Sequence, residues 1–189
     1  MYRLLLSLVV CILLHSCAII VAPQGGERDR KAPELISESP ASGTTNFIEN
    51  SISIEFDEFI TLDNPRENIY ISPPLEENPD FKVRKKSLLV SFKSDLQAST
   101  TYAIDFGESI KDIHEGTPLS NYRYVFSTGD AIDSISIKGS LINVMKPGSF
   151  EGNIKAFLFD TITDSAVMNK LPKYRVPVDE SGLFSINYL

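Results

Sequence analysis

The 189-residue sequence has no Trp, two Cys and two His, and its 25 acidic residues outnumber its 18 basic ones. A chain without a basic face cannot displace counterions from phosphates, which argues against a nucleic-acid partner. The Cys and His residues show no Cys-x-x-Cys or His-x-x-x-His spacing, so the sequence predicts no zinc site. We therefore expect no cofactor, no metal centre and no metal-assisted catalysis.

The lack of Trp also bears on sugar recognition. Two carboxylates for glycoside hydrolysis need a cleft that holds a sugar ring, and Trp is absent as a stacking platform. The stripe of Tyr122, Tyr124 and Phe126 has strand spacing, and we favour core or sheet surface over a ligand-binding face. The sequence predicts no catalytic residue and no small-molecule substrate.

The one long apolar run lies at the N-terminus. Arg3 supplies a positive charge, and residues 4–14 form an apolar core as long as that of a signal peptide. The run ends in Leu14-His15-Ser16-Cys17, which resembles the lipobox of bacterial lipoproteins. His15 stands where a small or aliphatic residue is usual. The resemblance implies that residues 1–16 are a signal peptide and that Cys17 is the lipid attachment site.

An uncleaved signal anchor is the alternative, since residues 4–22 approach the ~20 apolar residues that span a bilayer. The polar residues 15–17 in the middle of that stretch favour the lipoprotein. Cleavage would remove Cys11 and leave Cys17 as the one cysteine, so we expect no internal disulfide. Residues 17–32 mix Pro, Gly and charges of both signs, which predicts a lipidated N-terminus followed by a flexible tether.

From residue 33 to about residue 131, apolar residues recur at every second position. This alternation is typical of strands that bury one face in a core. The clearest stretches are 52–56, 88–92, 102–106 and 122–126. Turn-rich segments separate them, and no window of about 11 residues has a helical period. The sequence therefore predicts an all-β fold, with an antiparallel β-sandwich over residues 33–131.

Four motifs in this region follow one another in the order of a known family. They are Ser39-Pro40-Ala41-Ser42-Gly43, Ile52 to Glu58, Leu96 to Tyr102, and Tyr124 to Gly129. The series resembles the SbsA-type bacterial Ig-like domain, and together with the N-terminus it resembles Bacteroidetes envelope lipoproteins that carry this domain first. The resemblance implies an Ig-like sandwich. It also implies a structural role for Tyr102 as a tyrosine corner, whose hydroxyl pins the loop entering a late strand.

Residues 132–189 show a second series of strand patterns. The predicted strands are 135–141, 153–159, 174–178 and 183–186. The acidic turn 179–182 before Leu183-Phe184 resembles the transthyretin-like or carboxypeptidase-regulatory type of β-sandwich. Four strands are too few to close a sandwich and leave edges unpaired, which native folds avoid. We expect a partial second β-sandwich domain over 132–189, in a sequence that continues beyond Leu189.

Acidic residues in three places offer the oxygen ligands that Ca²⁺ prefers. They are Asp57, Glu58 and Asp63; Asp105, Glu108 and Asp112; and Asp130 with Asp133 at the domain junction. None of them follows a known calcium-binding loop, so we favour solvated surface charge in each place. His114 lies on a Gly- and Pro-containing loop, and we interpret it as a surface residue rather than a catalytic base.

The basic cluster of the sequence is formed by Lys82, Arg84, Lys85 and Lys86, in a predicted hairpin turn before Ser87. Contact with anionic lipid headgroups or lipopolysaccharide is one interpretation of this cluster. The other, which we favour, is that the charges keep an exposed hairpin soluble.

We expect a protein without enzymatic activity, anchored in the bacterial envelope by its lipid, whose Ig-like domain is a spacer or an interaction module. Its partners are then the membrane and other envelope proteins or glycans. The alternative is the anchoring arm of a larger enzyme or glycan-binding protein whose working domain lies beyond Leu189. Ala18 follows Cys17 where Asp would favour the inner membrane, and the acidic run associated with surface export is absent. Both features favour the periplasmic side of the outer membrane.

Overall fold

The computed structural model describes residue 2 and residues 29–189 without 147–149, 151–153 and 164. Apart from residue 2, the predicted signal peptide lies outside these residues, as do Cys17 and most of the predicted tether. Within the described ranges, two helices of four residues each occur, α1 (Pro65–Asn68) and α2 (Ala166–Asn169). No described helix is long or apolar enough to cross a bilayer. The other regular elements are strands, as the all-β prediction requires.

Nine strands build the first unit, residues 29–131, which the structure describes throughout. They are β1 (Leu35–Ser39), β2 (Ser51–Phe56), β3 (Ile60–Leu62), β4 (Tyr70–Ser72), β5 (Asp80–Arg84), β6 (Ser87–Ser91), β7 (Thr101–Asp105), β8 (Ile110–Asp112) and β9 (Arg123–Ser127). One antiparallel sheet has the order β1-β2-β6-β5, and the other has the order β4-β7-β9. The short strands β3 and β8 pair with each other. The two larger sheets share one core, which confirms the predicted antiparallel Ig-like sandwich.

The alternating residues of β2 and β6 supply one wall of this core. Ile52 and Ile54 are fully buried, whereas Ser53 and Glu55 between them are exposed. In the register between the two strands, Ile52 pairs with Val90 and Ile54 with Leu88. A one-residue slip would expose every one of these side chains, so burial of the stripe fixes the register.

The opposite wall comes from β7 and β9, where Tyr102 pairs with Phe126 and Ile104 with Tyr124. All four side chains are buried. Burial of a large apolar side chain contributes about 1.5–3 kcal/mol, so this wall is a main source of stability. The Tyr124 and Phe126 stripe is therefore core, as predicted. Tyr122 precedes β9, is half-buried and stacks on Phe106 with 5.2 Å between ring centroids.

A chain segment over residues 43–47 runs parallel to β9 and joins the two sheets. Gly43 N–H donates to the Val125 carbonyl at 2.7 Å, and Phe47 N–H donates to the Ser127 carbonyl at 2.9 Å. In return, Ser127 N–H donates to the Thr44 carbonyl at 2.9 Å. Gly43 has φ +88°, a conformation that glycine adopts without steric cost. The predicted Ser39–Gly43 turn thus carries the chain from β1 to the sheet that contains β9.

The hairpin of β5 and β6 is tighter than the sequence suggested. Lys82 and Arg84 belong to β5 itself, and only Lys85 and Lys86 form the turn. The prediction that all four basic residues lie in the turn is wrong, because alternate charged side chains on an edge strand remain in solvent without leaving the sheet. Lys86 is exposed, and its Nζ donates to the Asp57 carbonyl at 2.5 Å.

The second unit has four strands in the residues that the structure describes. They are β10 (Ser136–Ser140), β11 (Lys155–Leu158), β12 (Tyr174–Pro177) and β13 (Leu183–Asn187). β10 pairs with β13 and β11 with β12, both antiparallel. All four predicted strands of this region are therefore present. Their buried cluster is small, with Tyr174, Val176 and Ile186 at its centre.

Candidate functional site

Tyr102 makes a contact of the tyrosine-corner type. Its hydroxyl accepts a hydrogen bond from the backbone N–H of Gln97 at 2.9 Å, across the loop that enters β7. Its ring stacks on Phe126 with an interplanar angle of 18°. Burial raises the pKa of Tyr102, so the hydroxyl stays protonated at neutral pH. The geometry fixes the loop to the core and offers no reactive group to solvent.

Two further tyrosines hold the turn after β1, and sequence reasoning assigned them only to the core. The Tyr124 hydroxyl donates to the Pro40 carbonyl at 2.7 Å, and the Tyr122 hydroxyl donates to Glu38 Oε1 at 2.6 Å. Burial raises the pKa of both hydroxyls well above the usual range. Such tyrosines can be recognised in a sequence by their position on a predicted buried strand face, because a buried hydroxyl needs a hydrogen-bond partner.

Asp112 closes the loop that contains His114. Its two carboxylate oxygens accept the backbone N–H groups of His114 at 2.9 Å and Glu115 at 2.8 Å. The hydrogen bond from His114 is the main reason that the pKa of Asp112 is lowered to about 2. Among the described residues, ligand atoms of Asp112, His114 and Glu115 lie within 4.8 Å of one another. Both Asp112 oxygens already serve the turn, and the His114 side chain is 69% exposed.

Acidic residues that are close together in the sequence have different partners in the structure. Asp63 pairs with Lys111 at 2.6 Å, and Asp105 pairs with Arg123 at 2.7 Å. Both carboxylates are thus compensated by a cation on a neighbouring strand. Glu58 instead lies close enough to Asp112 for repulsion to act on it, and its pKa is raised by burial and by that charge. The possible calcium ligand sets around Asp63 and Asp105, which the sequence did not favour, are therefore not brought together among the described residues. Asp112 departs from the predicted solvated surface charge, since it is buried.

Tyr70 joins the two units. The guanidinium carbon of Arg175 on β12 lies 3.7 Å from the centroid of the Tyr70 ring, and Lys155 Nζ on β11 lies 4.7 Å from it. Lys155 Nζ also donates to the Tyr70 hydroxyl. Cations over an aromatic face are attracted by its negative charge density. Where the chain passes from the first unit to the second, Asp133 N–H donates to Thr101 Oγ1 at 3.0 Å.

The sandwich, the loop that Tyr102 pins and the buried tyrosines all lie in the part of the chain that matches a known family. The sequence profile of the bacterial Ig-like domain matches residues 29–128, just over half of the chain. The chain belongs to the bacterial Ig-like domain family. An Ig-like domain of this kind is a structural or interaction module and is typically non-catalytic. The roles of Tyr102 and Asp112 inside the Ig-like domain are consistent with that, since both side chains fix loops.

No curated protein sequence matches this chain. Among solved structures, an L,D-transpeptidase from Mycobacterium smegmatis is similar, with 12% sequence identity and a TM-score of 0.33. The similarity covers 78% of this chain and 73% of that one. A likeness of this size carries no information about activity. Cys17 lies outside both the Ig-like domain match and the described residues, so its lipidation stays a prediction.

Proposed function

We propose that this protein is a lipid-anchored, non-catalytic component of a bacterial envelope, in which the Ig-like domain is a spacer that presents the second β unit. The observation that carries the proposal is the docking of the two units through Tyr70, Lys155 and Arg175. Domains joined by a bare linker move freely, whereas docked domains keep an orientation. Because a docked pair keeps its orientation, an anchor on the first unit also determines where the second unit meets its contacts.

The anchor in this proposal is Cys17. One acyl chain holds a protein only marginally to a bilayer, whereas two or more hold it stably. The chain from Cys17 to the first described residue of the sandwich, Asp29, spans at most about 40 Å when fully extended. The Ig-like domain therefore stays near the membrane surface and sets the height of the second unit. We place the anchor on the periplasmic side of the outer membrane.

The anchor is tested with the full chain produced in a Gram-negative bacterium and labelled with palmitate. We expect the wild type to carry the label and to begin at Cys17, and Cys17→Ser to carry none. Cys11→Ser is the matched control, since it changes the other cysteine, which lies inside the predicted signal peptide. A wild-type protein that retains residues 1–16 without lipid would contradict the lipid anchor and favour the signal anchor.

An interaction role, rather than an inert spacer, is favoured by the surface of the second unit. Large apolar side chains that solvent reaches over most of their area are Ile142, Val144, Met145, Ile162, Val167, Met168 and Leu171. Exposed apolar surface of this kind marks protein contacts. A photo-crosslinking amino acid at Met168 should give adducts in intact envelopes, whereas one at Ser53 on the Ig-like domain should not. Equal adducts at both positions would contradict an interaction role for this surface.

A further inference from the structure

A cleft of about 670 Å³ lies between the two units, next to the Tyr70 junction. Residues of β4 and β5, from the free edges of the two sheets, line it from the Ig-like domain. Leu171, Pro172 and Arg175 of the second unit line it from the other side. Clefts of about 300–1,000 Å³ at domain junctions are common ligand sites. The sequence did not indicate this one, because its lining residues come from two distant parts of the chain, Pro65 to Lys93 and Leu171 to Arg175.

The apolar part of the cleft lies on the Ig-like domain. Ile71, Leu75 and Phe81 are half-buried, pack against the edge of the core and line the cleft. Pro74 and Pro79 line it as well. Because proline has a fixed backbone φ angle and no N–H donor, these residues form a rigid wall without an unpaired backbone N–H of their own. A ligand with an apolar body would cover these side chains and remove apolar area from water.

The charged part of the cleft is cationic in a chain whose formal net charge is −7. Arg66, Lys93 and Arg175 line the cleft, and Asp80 is its one acidic lining residue. Asp80 pairs with Lys93 at 2.8 Å, so these two charges cancel. Among the described residues, Arg66 and Arg175 have no carboxylate partner within ion-pair distance. Two arginines thus line one cleft without an ion-pair partner in the part of the chain that the structure describes.

Arg175 is held in a fixed plane for this purpose. Its guanidinium carbon lies over the Tyr70 ring, 3.7 Å from the ring centroid, and this contact restrains the side chain. The planar fork of a guanidinium matches the oxygens of a carboxylate or a phosphate, and a preformed plane loses less freedom on binding. Arg66, in α1, is exposed and adds the second positive charge.

We propose that the cleft binds a small amphiphilic anion, with a carboxylate or phosphate group at Arg66 and Arg175. Its apolar body lies against Ile71, Leu75 and Phe81. The function goes beyond that of a spacer, which needs no ligand. A neutral or cationic amphiphile of the same shape lacks the charge match and leaves both guanidinium groups unpaired.

The test uses the full-length chain as purified from a Gram-negative bacterium, in nanodiscs of zwitterionic lipid, with isoleucine methyl groups observed by NMR, and its readout does not depend on whether Cys17 carries lipid. The probes are 4-phenylbutyrate, 3-phenylpropyl phosphate, 4-phenylbutanol and 4-phenylbutylamine, which share a ring and differ in head group. We expect the two anions to shift the Ile71 and Ile69 methyl signals saturably, and the alcohol and the amine to leave them unchanged. Either anion supports the proposal, and the tighter one identifies the natural head group.

Variants locate the site. Arg66→Gln should weaken anion binding on the order of tenfold to a hundredfold, the range for loss of a charged hydrogen bond. Arg175→Gln should do the same, and Arg84→Gln is the matched control because Arg84 is an exposed arginine that does not line the cleft. Arg66 lies outside the Tyr70 junction, so its variant tests binding without loosening the docking. Wild-type affinity in Arg66→Gln, or equal affinity for alcohol and acid, would overturn the proposal.

Discussion

Arg175 and Tyr70 form a stacked pair, with 3.7 Å between the guanidinium carbon and the ring centroid. The pair joins a residue of the second β unit to an aromatic side chain of the Ig-like domain, 105 positions earlier in the chain. Because Lys155 approaches the same ring, two cations of one unit converge on a single side chain of the other. The orientation of the two units therefore depends on this ring.

Removing the ring should loosen the junction. We expect Tyr70→Ala to lower the hydrogen-exchange protection of β12 by about 1–3 kcal/mol, since each cation–ring contact is worth about 0.5–2 kcal/mol. Tyr70→Phe is the control, because it keeps the ring and loses only the hydroxyl that accepts from Lys155. Protection of β12 in Tyr70→Ala that equals the wild-type value would show that the units dock by other contacts.

The pinned loop before β7 should depend on one hydroxyl. Tyr102→Phe leaves the Gln97 N–H without its partner, so we expect the free energy of unfolding to fall by about 1 kcal/mol in urea titrations. Tyr188→Phe makes the same chemical change where, among the described residues, the hydroxyl makes no hydrogen bond, and it should be neutral within error. An equal loss in both variants would contradict a specific role for the Tyr102 hydroxyl.

The core of the sandwich should tolerate truncation poorly. Phe126 is fully buried and contacts the rings of Phe47 and Tyr102, so Phe126→Ala should cost about 3–5 kcal/mol of stability. Phe157→Ala in the second unit removes a ring that is 50% exposed and should cost clearly less. Thermal unfolding of the two variants side by side measures the difference, and a larger loss at Phe157 would contradict this assignment of the core.

Asp112 should make stability depend on pH in the acid range. Its pKa is about 2 in the folded chain and 3.8 in the reference state, so the folded form binds the proton less readily. The stabilisation is complete above about pH 4 and is lost as pH falls from there to about 2. Asp112→Asn should be less stable than wild type at pH 6, and the difference should shrink toward pH 2. Urea unfolding across this range measures it.

The matched control for that titration is Asp130→Asn. Asp130 is exposed, and no hydrogen bond to its carboxylate occurs within the described ranges. This variant should follow the wild-type curve at every pH. A pH dependence in Asp112→Asn that parallels the wild type would show that other carboxylates control acid unfolding.

The long alternating strands were predictable from the sequence, and the short ones were not. β2, β6, β7 and β9 each repeat an apolar residue at least twice on one face, which sets them apart from loops. β3, β4 and β8 have three residues each, too few for a period to appear. β1 was not predicted, because only one of its five residues is even half-buried and the strand has no buried apolar face to give a pattern.

The junction at Tyr70 and the cleft beside it could not be predicted from the sequence, for a different reason. Tyr70, Lys155 and Arg175 carry no motif, and their proximity results from how β4 packs near β12. The acidic groups show the same limit, because residues adjacent in sequence, such as Glu58 and Asp57, have different partners in space. Glu58 responds to Asp112, whereas Asp57 accepts the N–H of Glu34 at 2.7 Å.

The parallel run of residues 43–47 beside β9 has a mechanical consequence for a domain under tension. Residues 43–47 follow β1, the first strand of the domain, and β9 leads to the second unit. When two parallel segments are pulled from opposite ends, they slide along each other, so the hydrogen bonds of Gly43, Phe47 and Ser127 stretch together rather than one by one. Under the proposed anchoring, tension between the N-terminus and the second unit would load these hydrogen bonds together.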